Sequence, residues 1–271
     1  MGEASSEEIK ARVAAAFDRA SGTYDQVGTE YFAPAGRFLV SRTAPQPGER
    51  VLDVGCGRGA SAIPAAHAVG ASGSVLATDL AVSMVESVRR ASNAMPWLRV
   101  EVGDAEHPPP GPFNVVQAGL VLFFLPSLDA ALSRYRTALT RPGRLGFTWP
   151  GALDAPQEAV FNALEADLPE SDQPLDDGPF ESPAAMHTYL TEQGWSDPTT
   201  ETRVHLVRLS DADHWFEWSW SHGYRRLLEE LQEQGLLTAA RERATPLIDK
   251  MIADEGGLVW PMEVHATVVH V

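Results

Sequence analysis

The sequence predicts an α/β fold: a doubly wound, mostly parallel sheet of seven strands, with helical cap insertions and an antiparallel closing strand. Three observations carry this. Residues 51–59 (VLDVGCGRG) pass from a β-branched apolar run into three glycines at alternate positions, and the chain then continues in a helical pattern to Ala68. Strand-like and helix-like segments alternate from Arg50 to Trp149, the pattern of a parallel sheet covered on both faces. The alternation stops at Pro150, and residues 258–271 close the chain with apolar residues at every second position (Val264, Ala266, Val268).

Taken in order, residues 5–24 read as an amphipathic helix. Ser5 and Glu8 have capping-box spacing, and Ile9, Val13, Ala16, Phe17, Ala20 and Tyr24 form one apolar stripe. A second helix ends at Pro45-Gln46-Pro47-Gly48. Strands are expected at 50–54, 74–78, 98–102, 113–118 and 144–149, the last after a Pro142-Gly143 turn. Helices are expected at 84–92 and 129–139 between them. Beyond Pro150, helices are expected at 157–167 and 183–192 with a solvated acidic loop between them at 169–179. A sixth strand at 200–209 and a helical stretch over 211–254, kinked at Pro246 and ended by Gly256-Gly257, lead to the closing strand. Three parts follow: an N-terminal helical lid (1–48), a ligand-binding core (49–150), and cap insertions with the last two strands (151–271).

The totals limit the function. The chain has 271 residues, enough for one substantial core. With 21 basic against 37 acidic residues its net charge is −16, which disfavours nucleic acid and anionic membrane surfaces as partners. Cys56 is the single cysteine, so no intrachain disulfide forms. No apolar run reaches the length of a membrane span, and no signal peptide is evident, so a cytoplasmic location is expected.

In a doubly wound sheet the ligand lies beyond the carboxyl ends of the strands. The residues there are Asp53 with its glycines, Asp79, Asp104, residues 118–120 and Trp149. Three carboxylates and no cation suit a ligand with hydroxyls, amines and positive charge better than a pyrophosphate. A nicotinamide dinucleotide is the rival, since Asp79 lies 22 positions after Gly57. The glycines, however, are spaced G-x-G-x-G, and that fingerprint has no use for Asp53 or Asp104.

The run 51–59, Asp79, Gly103-Asp104-Ala105 and the 141–145 turn together resemble the class I S-adenosylmethionine-dependent methyltransferases. The likeness is to their ubiquinone-biosynthesis-type, small-molecule and natural-product branch, and Phe17, Ala20, Tyr24 and Asp25 resemble that branch's N-terminal pattern. The resemblance implies a Rossmann-like fold, S-adenosylmethionine as cofactor and S-adenosylhomocysteine as product. It implies that Gly55, Cys56 and Gly57 approach the methionine moiety through their backbone, with Asp53 behind them holding the amino group directly or through water. Asp79 takes the ribose hydroxyls, Asp104 the adenine amine with Ala105 beside the ring, and Leu80, Met84 and Leu120 sandwich adenine and ribose. Tyr24 and Phe32 close over the methionine end from the lid. Members that keep the fold without transferring a methyl group, as cyclases or binding proteins, remain the alternative.

The chain departs from these relatives at Phe123-Phe124, where they often carry a polar histidine pair. An apolar wall is expected there, with Phe124 on the substrate. The richest aromatic stretch is 215–222 (WFEWSWSH), whose helical spacing gives two aromatic faces. Trp215, Trp218 and His222, with Trp149 and Phe124, are the expected substrate contacts. An apolar or aromatic small molecule, accepting methyl on oxygen, carbon or nitrogen, is the expected substrate. His222 and Tyr24 are the candidate bases, with His187, His214 and Glu217 behind them. No metal is expected, because no cluster has ligand spacing. A homo-oligomer joined through the N-terminal helix or the cap is compatible with the pattern.

Overall fold

The structure, a computed structural model, describes residues 5–28, 30–169, 178–253 and 257–271. Five parallel strands form its centre: β1 (Arg50–Val54), β2 (Ser74–Asp79), β3 (Leu98–Val102), β4 (Phe113–Gly119) and β5 (Leu139–Pro150). Two long strands, β6 (Ser196–Leu209) and β8 (Gly257–His270), complete the order β3-β2-β1-β4-β5-β8-β6. β8 runs antiparallel to both of its long neighbours, as the closing strand was expected to. A two-residue β7 (Ile252–Ala253) pairs with its start and was not foreseen. Strand order reverses between β1 and β4, so the crevice beyond their carboxyl ends is the natural ligand site.

The helices are α1 (Ser6–Ala20), α2 (Phe32–Thr43), α3 (Ala62–Val69), α4 (Val82–Ala91), α5 (Leu128–Ala138), α6 (Ala155–Glu165), α7 (Pro183–Glu192), α8 (Ala212–Trp220), α9 (Arg225–Glu233) and α10 (Leu237–Asp249). The Ser5–Glu8 capping box forms as its spacing predicts: Ser5 Oγ accepts from the Glu8 N–H at 3.3 Å, and Glu8 accepts from the Ser5 N–H at 2.7 Å. The start of α2 has a less local cap. Both carboxylate oxygens of Asp25 accept from the N–H groups of Tyr31, Phe32 and Ala33 at 2.6–3.0 Å.

Two expectations change. The stretch 211–254 is three helices, broken near Gly223 and again at Gly235, whose φ of +72° ends α9; Pro246 sits inside α10 and does not restart it. The Pro142-Gly143 turn is absorbed into β5 as an irregularity between the pairs Phe113↔Leu139 and Val115↔Arg144. The acidic loop falls mostly on residues 170–177, and the end at Gly256-Gly257 partly on 254–256, outside the described residues.

Three apolar clusters hold these layers. Ala65, Ala66 and Val69 of α3 and Val85 and Val88 of α4 pack on one face of β1–β3. Leu132 and Tyr135 of α5 and Leu190 of α7 pack with Leu52, Val116 and Leu145 on the other. The third cluster belongs to the insertions, where α6, α8, α9 and α10 bury Trp215, Trp218, Leu231 and Ile248 against Trp260 and Val264 of β8. This last cluster forms the wall of the site described next. No helix among the described residues is long and apolar enough to cross a membrane.

Candidate functional site

The chain leaves β1 with its backbone in the left-handed region at Gly55 (φ +62°) and Gly57 (φ +51°). This conformation turns the strand sharply and exposes N–H groups on one side. Two bonds tie the turn to β2: the Cys56 N–H donates to the Thr78 carbonyl at 2.9 Å, and the Gly57 N–H donates to Asp79 Oδ2 at 2.8 Å. Asp79 Oδ1 accepts from the Ala81 N–H at 2.8 Å, which joins the turn to the start of α4. Burial pushes the Asp79 carboxyl up, and those two N–H groups oppose it. The Cys56 thiol is buried and held well above its ordinary pKa by that burial, so it serves as filler and not as a nucleophile.

Asp53 lies inside β1 with no exposure. Its Oδ2 accepts from Ser61 Oγ at 2.7 Å, and its Oδ1 has no hydrogen-bond partner. Burial pushes its carboxyl up to about 7, against the lowering effect of Ser61. A buried carboxylate with an unpaired oxygen calls for a cation or a water-bound amine nearby.

The lid packs on its own chain. Asp18 of α1 accepts from the Ser83 N–H at 3.0 Å and from its hydroxyl at 2.6 Å, and Arg19 forms a two-pronged pair with Glu229 of α9. Arg58, which follows the glycine turn, donates to the Ser21 carbonyl at 2.6 Å, so the turn itself holds the lid. Lys10 of α1, 7% exposed, reaches Asp104 Oδ2 at 2.8 Å and Glu106 at 3.4 Å.

Three cavities open at this crevice. The first, about 90 Å³, lies between α1 and the ends of β2–β4 and is walled by Asp79, Leu80, Met84, Ala105 and Lys10. The second, about 290 Å³, follows the glycine turn and includes Cys56, Ser61, Phe32 and Arg37. The third, about 890 Å³, opens under the cap between Phe124, Phe161, His222 and Tyr224. Tyr24 and Leu120 border all three, and Gly55 and Gly57 border the first two. Tyr24 stacks on Phe32 with ring centroids 4.2 Å apart, and burial raises its hydroxyl pKa well above 10. Leu120 reaches the junction from a left-handed backbone (φ +56°), held by hydrogen bonds from its N–H to Thr148.

Ten of the twelve expected cofactor residues line the first two cavities. The other two, Asp53 and Asp104, stand behind them, screened by Ser61 and Lys10. On the substrate side two of the five expected contacts reach the cavity. Phe124 and His222 line the third cavity; Trp149, Trp215 and Trp218 do not. Each of these tryptophans is no more than 2% exposed. Trp215 stands behind Phe161 and Tyr224, and Trp218 packs 4.1 Å from His222. Trp149 packs on His265 and donates to Thr267 at 3.1 Å. Both faces of α8 are covered because insertion helices pack on each other as well as on the sheet, which helical periodicity does not reveal. The cavity wall comes instead from Tyr31, Phe161 and Tyr224, one step nearer the opening.

The candidate bases fare differently. His222 Nδ1 faces the Ser219 carbonyl at 3.2 Å and so carries the proton; Nε2 has no partner. Burial lowers the ring's pKa to about 3, so it is neutral at every working pH. His187 faces the Thr200 hydroxyl, His214 faces Ser210, and Glu217 is exposed; none lines the cavity. Among the described residues, Asp104, Glu106 and His107 are close enough together to hold a cation. The cation already there is the Lys10 ammonium.

A doubly wound sheet in this strand order, with a glycine turn and an acid after β2, is the core of a class I S-adenosylmethionine-dependent methyltransferase. The orphaned Asp53 oxygen and the open glycine turn fit a ligand with a cationic methionine end. Comparison with known proteins agrees. Residues 51–143 match the family model described as a methyltransferase domain. The chain is 43% identical over 233 residues to aklanonic acid methyltransferase DauC of Streptomyces sp. (strain C5), covering 83% of this chain and 97% of that one. It is 32% identical over 244 residues to nocamycin O-methyltransferase of Saccharothrix syringae, covering 83% and 87%. Among solved structures, the YcgJ protein of Bacillus subtilis matches with a TM-score of 0.57 at 14% identity over 88% of this chain and 97% of that one. Phosphoethanolamine N-methyltransferase 2 of Haemonchus contortus, in complex with S-adenosyl-L-methionine, matches with a TM-score of 0.57 at 17% identity over 99% and 60%. The chain belongs to the S-adenosylmethionine-dependent methyltransferases, in the natural-product branch that contains the first two relatives. It is an enzyme of that cofactor acting on a small molecule, so the binding-protein and oxidoreductase alternatives fall away.

Proposed function

We propose that the enzyme methylates an oxygen of a flat aromatic acid in secondary metabolism, in the cytoplasm, without nucleic acid or membrane as partner. The observation that supports this reading is the meeting of three cavities at Tyr24 and Leu120. Adenosine takes the first, with Asp79 on the ribose; the methionine moiety takes the second; the acceptor takes the third. The sulfonium would then come to Tyr24 and Leu120, where the first two cavities meet the aromatic one. Transfer is an in-line displacement: an acceptor oxygen attacks the methyl carbon, the C–S bond breaks, and S-adenosylhomocysteine leaves. The chain's part is alignment and exclusion of water.

The acceptor class is argued from the rings that cover the third cavity and from the state of the histidine and tyrosines on it. Its walls are largely aromatic rings, which suit a flat ring system, and Glu165, Arg226 and Glu230 also line it, the arginine offering a charge partner to an acid. His222 is neutral and a poor base, and Tyr24, Tyr31 and Tyr224 are held protonated by burial. An acceptor that arrives already ionised, such as a carboxylate, needs no base. Its anion and the sulfonium cancel charge in the transition state, a change that the aromatic walls around the junction favour. The names of the relatives, one acting on an acid and one on oxygen, point the same way. The test is to incubate the enzyme with S-adenosylmethionine and aklanonic acid or simpler aromatic acids. Mass spectrometry should find one added methyl, released by mild alkali as from an ester. Methylation confined to carbon or nitrogen, or of no aromatic acid at all, would sink this reading.

Asp53 gives the cofactor step a pH signature. In the folded protein its raised carboxyl is mostly protonated below about pH 7. This group therefore stabilises the fold at low pH, and that contribution is lost as pH rises through 7. A ligand with a cationic amine prefers the ionised form. The affinity for S-adenosylhomocysteine should rise roughly tenfold between pH 6 and pH 8, with a proton released on binding. Calorimetry in buffers of different ionisation enthalpy measures both, and Asp53→Asn should flatten the profile.

A further inference from the structure

The adenosine end of the site carries a residue that the sequence did not single out. Lys10 projects from α1 into the wall of the first cavity, while Asp104, expected to meet adenine, is not part of that wall. The ammonium stands between the two. It lies 2.8 Å from Asp104 Oδ2, 3.4 Å from Glu106 and 2.5 Å from Glu7. These three partners differ. The Glu106 side chain is 4% exposed and is fixed further by the Ser127 N–H at 2.5 Å. Asp104 is fixed by the Glu106 N–H at 2.8 Å and by His107 at 2.9 Å. Glu7, on the first turn of the lid, is 83% exposed and free to turn away.

We propose that Lys10, and not Asp104 directly, contacts the base of the cofactor: its ammonium donates a hydrogen bond to a ring nitrogen of adenine, held in place by Asp104 and Glu106, and Glu7 is the partner it gives up. An ammonium has three donors. Two serve the half-buried Asp104 and the buried Glu106, whose charge keeps Lys10 protonated, and its pKa is raised above the ordinary value chiefly by the Asp104 bond. The third, now on an exposed glutamate, is the one the cavity can claim. Adenine offers bare ring nitrogens as acceptors. The arrangement also makes recognition of the base depend on α1 being seated, since Lys10 is part of the lid. This inference rests on the assignment of adenosine to the first cavity.

The test compares S-adenosylhomocysteine with its 1-deaza, 3-deaza and 7-deaza analogues, each lacking one ring nitrogen, by calorimetry. On the wild-type enzyme one analogue should bind roughly 10- to 100-fold more weakly, the loss of one hydrogen bond to a charged donor. On Lys10→Met, S-adenosylhomocysteine itself should weaken by a similar factor, and all four ligands should bind alike. Because Lys10→Met leaves two carboxylates without their cation, Lys10→Arg serves as the second variant; it keeps the charge and should restore part of the discrimination. Equal binding of all analogues to the wild-type enzyme would overturn the inference while leaving the cofactor site intact. So would discrimination that persists in Lys10→Met. Failure of the wild-type enzyme to bind S-adenosylhomocysteine would instead remove the residue-level site on which the inference rests.

Discussion

Gly55→Ala should destabilise the protein by about 3 kcal/mol and abolish measurable cofactor binding. Two costs combine. The backbone at Gly55 sits at φ +62°, where an L-side chain costs about 1–2 kcal/mol. A Cβ built there would stand 2.3 Å from Val121 Cγ2, and relieving such a clash costs about 1–3 kcal/mol. Thermal melting should fall by roughly 6–12 °C, at about 2–4 °C per kcal/mol for a chain somewhat shorter than this one. Gly57→Ala separates the two costs. Its φ of +51° carries the conformational penalty, but the nearest atom to its Cβ is Tyr24 Cε1 at an ordinary 3.9 Å. That variant should melt roughly 2–8 °C below the wild type, one φ penalty, and still bind S-adenosylhomocysteine more weakly, because the new methyl faces the cavities. Equal melting temperatures for wild type and Gly55→Ala would show that the turn relaxes freely, contrary to the geometry.

The contrast between these glycines shows what the sequence can and cannot carry. The alternation of strands and helices, the glycine turn and the acid after β2 are local patterns, each fixed by residues a few positions apart. They placed all seven long strands and the cofactor class, while the strand order came only with the structure. Asp25 capping α2 and Ser5 capping α1 belong to the same order of distance. Lys10 is different. Its partner Asp104 lies 94 positions away, and a single lysine on a polar helix face gives no signal of burial. Arg58 is another case: a lone arginine beside a glycine turn reads as solvated, yet it bridges to the lid at Ser21.

The tryptophans of α8 lie outside the cavity lining for a related reason. Two aromatic faces on one helix announce that both are used, but not which one meets a ligand. Here the insertion helices close on both, and the cavity falls to Phe161 of α6 and to Tyr224, two positions beyond the aromatic stretch. Local chemistry therefore identified the cofactor, which a shared core binds. The third cavity is walled largely by the insertions and the N-terminal segment, whose packing depends on long-range contacts that the sequence pattern does not show.

Asp79→Ala should weaken S-adenosylhomocysteine by roughly 10²- to 10⁴-fold, the loss of two charge-assisted hydrogen bonds at about 1.5–3 kcal/mol each. Part of that loss is structural. Asp79 accepts from the Gly57 and Ala81 N–H groups, one on each carboxylate oxygen, so its removal frees the glycine turn from β2 and from the start of α4. Asp79→Asn tells the two roles apart. An amide offers one oxygen, and its NH₂ must then face one of the two N–H donors, so the isosteric change is expected to be nearly as damaging as alanine. Glutamate keeps the charge and both oxygens on a longer arm; it should retain melting temperature better than it retains affinity. Calorimetry on the three variants, beside melting curves, gives the partition. A variant that melts lower than the wild type yet binds like it would mean that Asp79 only braces the turn and that the ribose hydroxyls are held elsewhere. The opposite result, normal melting with lost binding, puts the carboxylate on the ribose. It would fix the orientation of the whole cofactor, with adenine toward Lys10 and the sulfonium toward Tyr24.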